Sequence, residues 1–147
     1  MAERIPHSVA IHFDRYPVDM PADISRWLAE GADFNEWQAA ELADVVGQVG
    51  AGGQVVIFEA PLGRRHHATG KHIDFLVFIE VPLEIALARF VIRELSGDRT
   101  GLIDYIHSYE SLAREVYLEQ RRQVMPEADL VVDGSLTPAE IVAAILE

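Results

Sequence analysis

Cysteine is absent from the 147 residues, which removes disulfides, thiolate nucleophiles and Cys-ligated metals and favours an intracellular setting. Basic residues are scarce as well, with 12 Lys and Arg against 24 Asp and Glu, a formal charge of -12. Nucleic acids and anionic membranes both require a positive field, so the balance points instead to a small-molecule or protein partner. No run approaches the ~20 apolar residues that cross a bilayer. The opening residues, MAERIPHSVAIHF, lack the layout of a secretory signal. A soluble, cytoplasmic protein is the expectation. Also missing is any Gly-x-x-x-x-Gly-Lys-Ser/Thr, the loop whose backbone cradles nucleotide phosphates. Gly70-Lys71-His72 does not replace it. No Ser or Thr follows to bind magnesium, Gly63 lies seven residues upstream, and a strand follows where a phosphate-facing helix is needed.

What is present is the material of a core. Half of the residues are hydrophobic, and a chain of this length buries roughly two-thirds of its unfolded surface in one domain. Four apolar runs rich in β-branched residues, Ser8–Phe13, Gln54–Glu59, Phe75–Glu80 and Asp129–Val132, are predicted strands. They are continuous rather than alternating, the pattern of a parallel sheet covered on both faces. Helices are marked by their ends. Thr137-Pro138-Ala139-Glu140 is a capping box with proline at the first helical position, so Pro138–Leu146 is a helix. Asn35-Glu36-Trp37-Gln38 opens another that runs to about Gln48, and the glycines of Gly50–Gly53 close it. Pro82 starts the helix that carries Arg89 and Arg93, a long polar helix covers Leu102–Val124, and Pro21–Ala29 holds a short one. This alternation predicts an α/β fold, a three-layer αβα domain without repeats or linkers.

Residues with chemical potential gather at strand ends. Asp14, in His12-Phe13-Asp14-Arg15-Tyr16, follows the first strand, where open α/β sheets place their ligand crevice. It can orient or deprotonate a hydroxyl, or serve only as a turn residue. Glu59 ends the second strand, where a carboxylate can hold magnesium through water or simply face solvent. His66, His67 and His72 match no standard zinc spacing. Arg89 and Arg93 share a helical face and can clamp a phosphoryl group, although Glu84 and Glu94 offer them ordinary ion pairs. Trp27 and Trp37, taken singly, are core residues.

Taken together these segments resemble a known family. IDFLVFIEVPLEIALARFVIREL, Ile73 to Leu95, is similar to the second half of a P-loop kinase. Arg15–Trp37 holds Trp27, Gly31, Asp33, Phe34 and Trp37 at Trp-x-x-x-Gly-x-Asp-Phe-x-x-Trp spacing. It resembles the segment after the Asp-x-Tyr element in the uridine kinase-like branch. Tyr117–Gly134, a helix leading through Pro126 into the last strand, extends the likeness, which spans Ser8 to Leu146. The resemblance implies a P-loop NTPase-like fold with sheet order 2-3-1-4-5, beginning here at the second strand, with the first strand and phosphate loop missing. It implies ATP-dependent phosphoryl transfer to a small hydroxyl-bearing substrate, with magnesium. On that likeness Asp14, Arg89, Arg93 and Arg99 are catalytic, with Glu94 and Asp98 beside the arginines of the lid. Tyr16, Asp33, Trp37, Arg64 and His66 face substrate, Glu59 faces the metal, and Arg121 or Arg122 reaches phosphate. Without the loop the alternative is a catalytically inactive binding or assembly protein that retains the substrate half of the fold. The central gap would leave VVIFE and FLVFIE as apolar edges. The expectation is that Gln54–Glu59 and Phe75–Glu80 pair directly through the 15-residue connection Ala60–Asp74, or pair across a homodimer.

Overall fold

Parallel strand pairing organises each of the two compact units, Met1–Leu76 and Val77–Glu147, into which the chain divides. The computed structural model describes residues 1–94, 97 and 99–147. Asp98 and the Arg99 side chain, both part of the expected lid, lie outside the described residues.

In the first unit, β1 (Ser8–Ile11) pairs in parallel with β2 (Val55–Phe58), in a register that sets Ser8 opposite Val55 and Ile11 opposite Phe58. The crossover between them carries α1 (Ile24–Ala29) and α2 (Ala40–Ala51). Leu42 and Val46, one turn apart on α2, bury against Ile11 and Ala39, with Phe13, Tyr16 and Phe58 packed around them. The sequence predicts a helix opening at Asn35, and the structure differs. Phe34–Glu36 is a single 3₁₀ turn, Trp37 is extended, and Gln38 bridges to Asp19 through N···O contacts of 2.9 and 3.0 Å, so α2 starts only at Ala40. The Asp33 side chain satisfies the turn locally, which competes with helix propagation.

A turn at Gly63–Arg65 and the four-residue α3 (His67–Gly70) complete this unit. Gly70 is required by close approach: a Cβ there would lie 2.6 Å from the Arg64 carbonyl oxygen. That accounts for the glycine of Gly70-Lys71-His72 without any phosphate.

In the second unit, β3 (Val77–Glu80) pairs in parallel with β4 (Leu130–Asp133), Val77 opposite Leu130 and Glu80 opposite Asp133. Their crossover holds α4 (Leu83–Glu94), α5 (Arg99–Ser108) and α6 (Arg114–Val124). The predicted single helix over Leu102–Val124 contains a five-residue π-helical turn, Tyr109–Ala113, between α5 and α6. Next comes α7 (Pro138–Leu146), whose start is the predicted capping box: Thr137 accepts from the Glu140 amide while the Glu140 carboxylate accepts from the Thr137 amide.

The structure is thus mixed α/β with two small parallel sheets. Two expectations are corrected. The strands are not covered on both faces, since Val55, Ile79 and Val131 remain 49, 49 and 47% exposed. A two-stranded sheet has too few neighbours to bury both sides. Nor do the second and third strands pair directly, because β2 takes β1 and β3 takes β4 as parallel partner across helical crossovers. Among the described residues no helix is long and apolar enough to cross a membrane.

Candidate functional site

The first unit brings its candidates to the C-terminal ends of β1 and β2. The Glu59 amide donates to the Ile11 carbonyl at 2.9 Å, extending the ladder by one residue. The two strand-end side chains therefore meet, with His12 Nδ1 3.3 Å from Glu59 Oε2. Asp14 sits two residues on, exposed, in a 3₁₀ turn over Phe13–Arg15. Tyr16 ends that turn half-buried against the core cluster, which fixes the direction in which the turn leaves the sheet. A carboxylate exposed beside a strand end fits magnesium held mainly by water and phosphate, for which one or two protein carboxylates suffice. Glu59 is an exposed carboxylate at such a strand end. Among the described residues no group of three or more His, Cys, Asp or Glu could enclose an ion by itself.

Asp33, Trp37, Arg64 and His66 form a second group, where the 33–38 segment docks on the 63–70 loop. Asn35 is the hub. Its Nδ2 donates to Asp33 Oδ1 at 2.8 Å and to the Arg65 carbonyl at 3.2 Å, while its Oδ1 accepts from the His67 amide at 2.8 Å. The amide hydrogen bond from Asn35, and then the one from its side chain, hold the Asp33 carboxyl below its ordinary range, so Asp33 is ionised. Its charge is directed into its own turn. Arg64 likewise donates to the carbonyls of Ile73, at 3.2 Å, and Asp74, at 3.0 Å, bracing the far end of the loop. The Trp37 indole meets Trp27 edge-on, with ring centroids 5.9 Å apart, and its N–H is buried with no acceptor among the described residues.

His66 is 3% exposed and clamps both segments. Nε2 lies 3.1 Å from the Trp37 carbonyl, which can only accept, so Nε2 carries the proton. Nδ1, 2.8 Å from Thr69 Oγ1, then accepts from the hydroxyl. Burial pushes the His66 pKa below the usual 6.5. The unfolded chain therefore binds a proton more readily than the folded one, so stability contributed here is complete above pH 6.5 and declines as pH falls below it. Urea midpoints measured from neutral to mildly acidic pH are expected to drop more steeply for the wild type than for His66→Gln. Parallel pH profiles would remove this assignment.

The second unit carries the arginines. Arg89 reaches the loop after β4, donating from Nη1 to the Gly134 carbonyl at 2.5 Å and from Nη2 to the Ser135 carbonyl at 3.0 Å. Gly134 is itself fixed by its amide, which donates 2.6 Å to the Glu80 carbonyl. A Cβ on Gly134 would meet that oxygen at 2.9 Å. Arg89 is thus aimed at the C-terminal ends of β3 and β4. Arg93 is exposed, with Nε 2.5 Å from Glu94 Oε1. Arg121 pairs with Glu80 at the end of β3, and Arg122 pairs with Glu119 on its own helix. Arg89 and Arg93 both line an open cleft of 940 Å³ that lies wholly within this unit.

Sequence reasoning passed over Asn35, Thr69 and the Glu80–Arg121 pair. For Asn35 the spacing signal was available, an Asx residue following Asp33 in a turn. Glu80 stood at a strand end like Glu59 and was equally visible. A scan of protein-family models finds no match, and no curated protein matches the chain.

Proposed function

We propose that this chain carries the acceptor and lid portion of a uridine kinase-like phosphotransferase, acting on a small hydroxyl-bearing molecule with ATP and magnesium. The observation that carries the reading is the strand pairing. In the order 2-3-1-4-5, strands 2 and 3 are neighbours and strands 4 and 5 are neighbours, and these are the pairs formed by β1 with β2 and β3 with β4. Asp14, at the end of β1, then takes up or orients the proton of the acceptor hydroxyl as it attacks. Glu59 holds the magnesium side through water, with His12 beside it. Magnesium, when bound, neutralises charge on the transferring phosphoryl group. Arg89, Arg93 and Arg99 supply positive charge from the lid. The docked loops around Asn35 and His66 form the acceptor wall, with the buried Trp37 N–H as a donor.

Phosphoryl transfer in this family needs a phosphate loop, which these 147 residues do not contain. The second reading is an inactive binding or assembly protein with the same substrate half. On either reading Mg-ATP is expected to bind this chain weakly, because no backbone nest and lysine receive its β and γ phosphates. Calorimetric titration with Mg-ATP checks this, and low-micromolar affinity would contradict it.

A further inference from the structure

A row of aromatic rings lines the cleft of the second unit and has no part in the phosphotransfer reading. Phe90 on α4 stacks on Tyr105 of α5 with centroids 4.3 Å apart and planes 24° from parallel. Tyr105 is followed by Tyr109 at 6.4 Å, and Tyr109 by Tyr117 at 6.3 Å. All four rings border the same cleft. Tyr117 remains 41% exposed, so the row is not closed over as a core would be.

Three further observations bear on what the cleft takes. The π-helical turn Tyr109–Ala113 falls within this wall and sets Tyr109 and Tyr117, eight positions apart in sequence, close in space. Such turns concentrate at functional positions, since each gives up regular helical hydrogen bonding. Arginine is also concentrated at the cleft: among the described residues Arg89, Arg93, Arg114 and Arg121 line it beside Glu80, Glu84 and Asp133, with Glu94 paired to Arg93 and Glu115 to Arg114. Finally, the Tyr105 phenol is hydrogen-bonded with Tyr117, which ties the wall together across the π-helical turn; burial, then that bond, raises its pKa to about 12.

We propose that this cleft binds a small aromatic phosphate, its ring against the Tyr105, Tyr109 and Tyr117 wall and its phosphate toward the guanidiniums of Arg93 and Arg114. Stacking on tyrosine faces rewards a planar ring, and guanidinium forks match phosphate oxygens. The Arg114 contact with Glu115, Nη1 to Oε1 at 2.8 Å, occupies one donor of a five-donor group. The proposal shares Arg93 with the phosphotransfer reading but rests otherwise on the three tyrosines and Arg114, which have no role there, and it needs neither magnesium nor a phosphate loop.

AMP in magnesium-free buffer is the probe, with adenosine supplying the ring alone and ribose 5-phosphate the charge alone. Titrations followed by NMR are expected to show saturable AMP binding that shifts tyrosine resonances, with both fragments at least about tenfold weaker. Tyr109→Leu and Arg114→Gln should each weaken AMP by about tenfold, while Tyr109→Phe, which keeps the ring, binds as the wild type does. Retention in Tyr109→Phe separates loss of stacking from loss of fold. No saturable AMP binding, adenosine binding as well as AMP, or an affinity unchanged in both Tyr109→Leu and Arg114→Gln would each overturn the proposal. Weak Mg-ATP binding with strong AMP binding would leave the phosphotransfer reading untouched, so failure of one is distinguishable from failure of the other.

Discussion

Trp27→Ala is expected to cost about 3–5 kcal/mol, the range for deleting a buried large aromatic side chain. Trp27 is 1% exposed and sits where α1 meets the Asp33–Trp37 segment. Its ring stacks on Phe34 at 5.8 Å, takes the edge of Trp37 at 5.9 Å, and donates its indole N–H to the Asp33 carbonyl at 2.9 Å. Removing it leaves a cavity lined by two aromatic rings, while the Asp33 carbonyl keeps the Glu36 amide as donor at 3.1 Å, so the transfer and cavity terms dominate. A domain with ~5–15 kcal/mol of total stability loses much of it this way. Trp27→Phe keeps most of the volume and forfeits the hydrogen bond, so about 1 kcal/mol is expected. Urea unfolding of both variants measures these losses. A Trp27→Ala cost below about 1 kcal/mol would show that the site collapses freely and that Trp27 does not organise the Asp33–Trp37 segment.

The strength of that packing explains why some of the structure was legible from the residues and some was not. The four strands, the capping box at Thr137 and the helix carrying Arg89 follow local rules, namely runs of β-branched residues, a reciprocal side-chain cap, and proline at a helix start. Each appears within a few residues of its predicted place. The helix predicted from Asn35 failed because Asp33 and Asn35 spend their polar groups on a turn and a distant loop, a tertiary demand that propensity does not carry. Strand burial failed for a related reason. Val55, Ile79 and Val131 look like core residues in sequence, yet the number of neighbouring strands, which hydropathy does not encode, decides whether they are covered.

The candidate site divides in the same way. Asp14 and Glu59 at strand ends were readable, and so was the direction of Arg89 toward the ends of β3 and β4, because strand polarity and helical spacing fix them. The tyrosine wall was not. Tyr105, Tyr109 and Tyr117 are separated by four and then eight residues, and they line up only because a π-helical turn shifts the helical phase between them. Nothing in the hydrophobic period announces such a turn. His66 was read as facing substrate, whereas what the structure shows is a structural task, with both ring nitrogens engaged by Thr69 and the Trp37 carbonyl.

The phosphotransfer account makes its largest quantitative demand on Asp14. A base acts in the transfer step, so Asp14→Asn is expected to lower kcat by about 10²–10⁴-fold in a form able to bind ATP, with little change in nucleotide affinity. Asparagine is nearly isosteric, and Asp14 is exposed, so the fold is not at stake. The most direct test joins the chain at its N-terminus to a strand, a Gly-x-x-x-x-Gly-Lys-Ser/Thr loop and a helix. Transfer of labelled γ-phosphate from Mg-ATP is then measured across nucleosides, sugars and coenzyme precursors. The account predicts transfer to at least one hydroxyl acceptor, abolished or nearly so by Asp14→Asn while Mg-ATP binding persists. A folded, ATP-binding joined protein that transfers to none of them, or one in which Asp14→Asn transfers as fast as the parent, would contradict it.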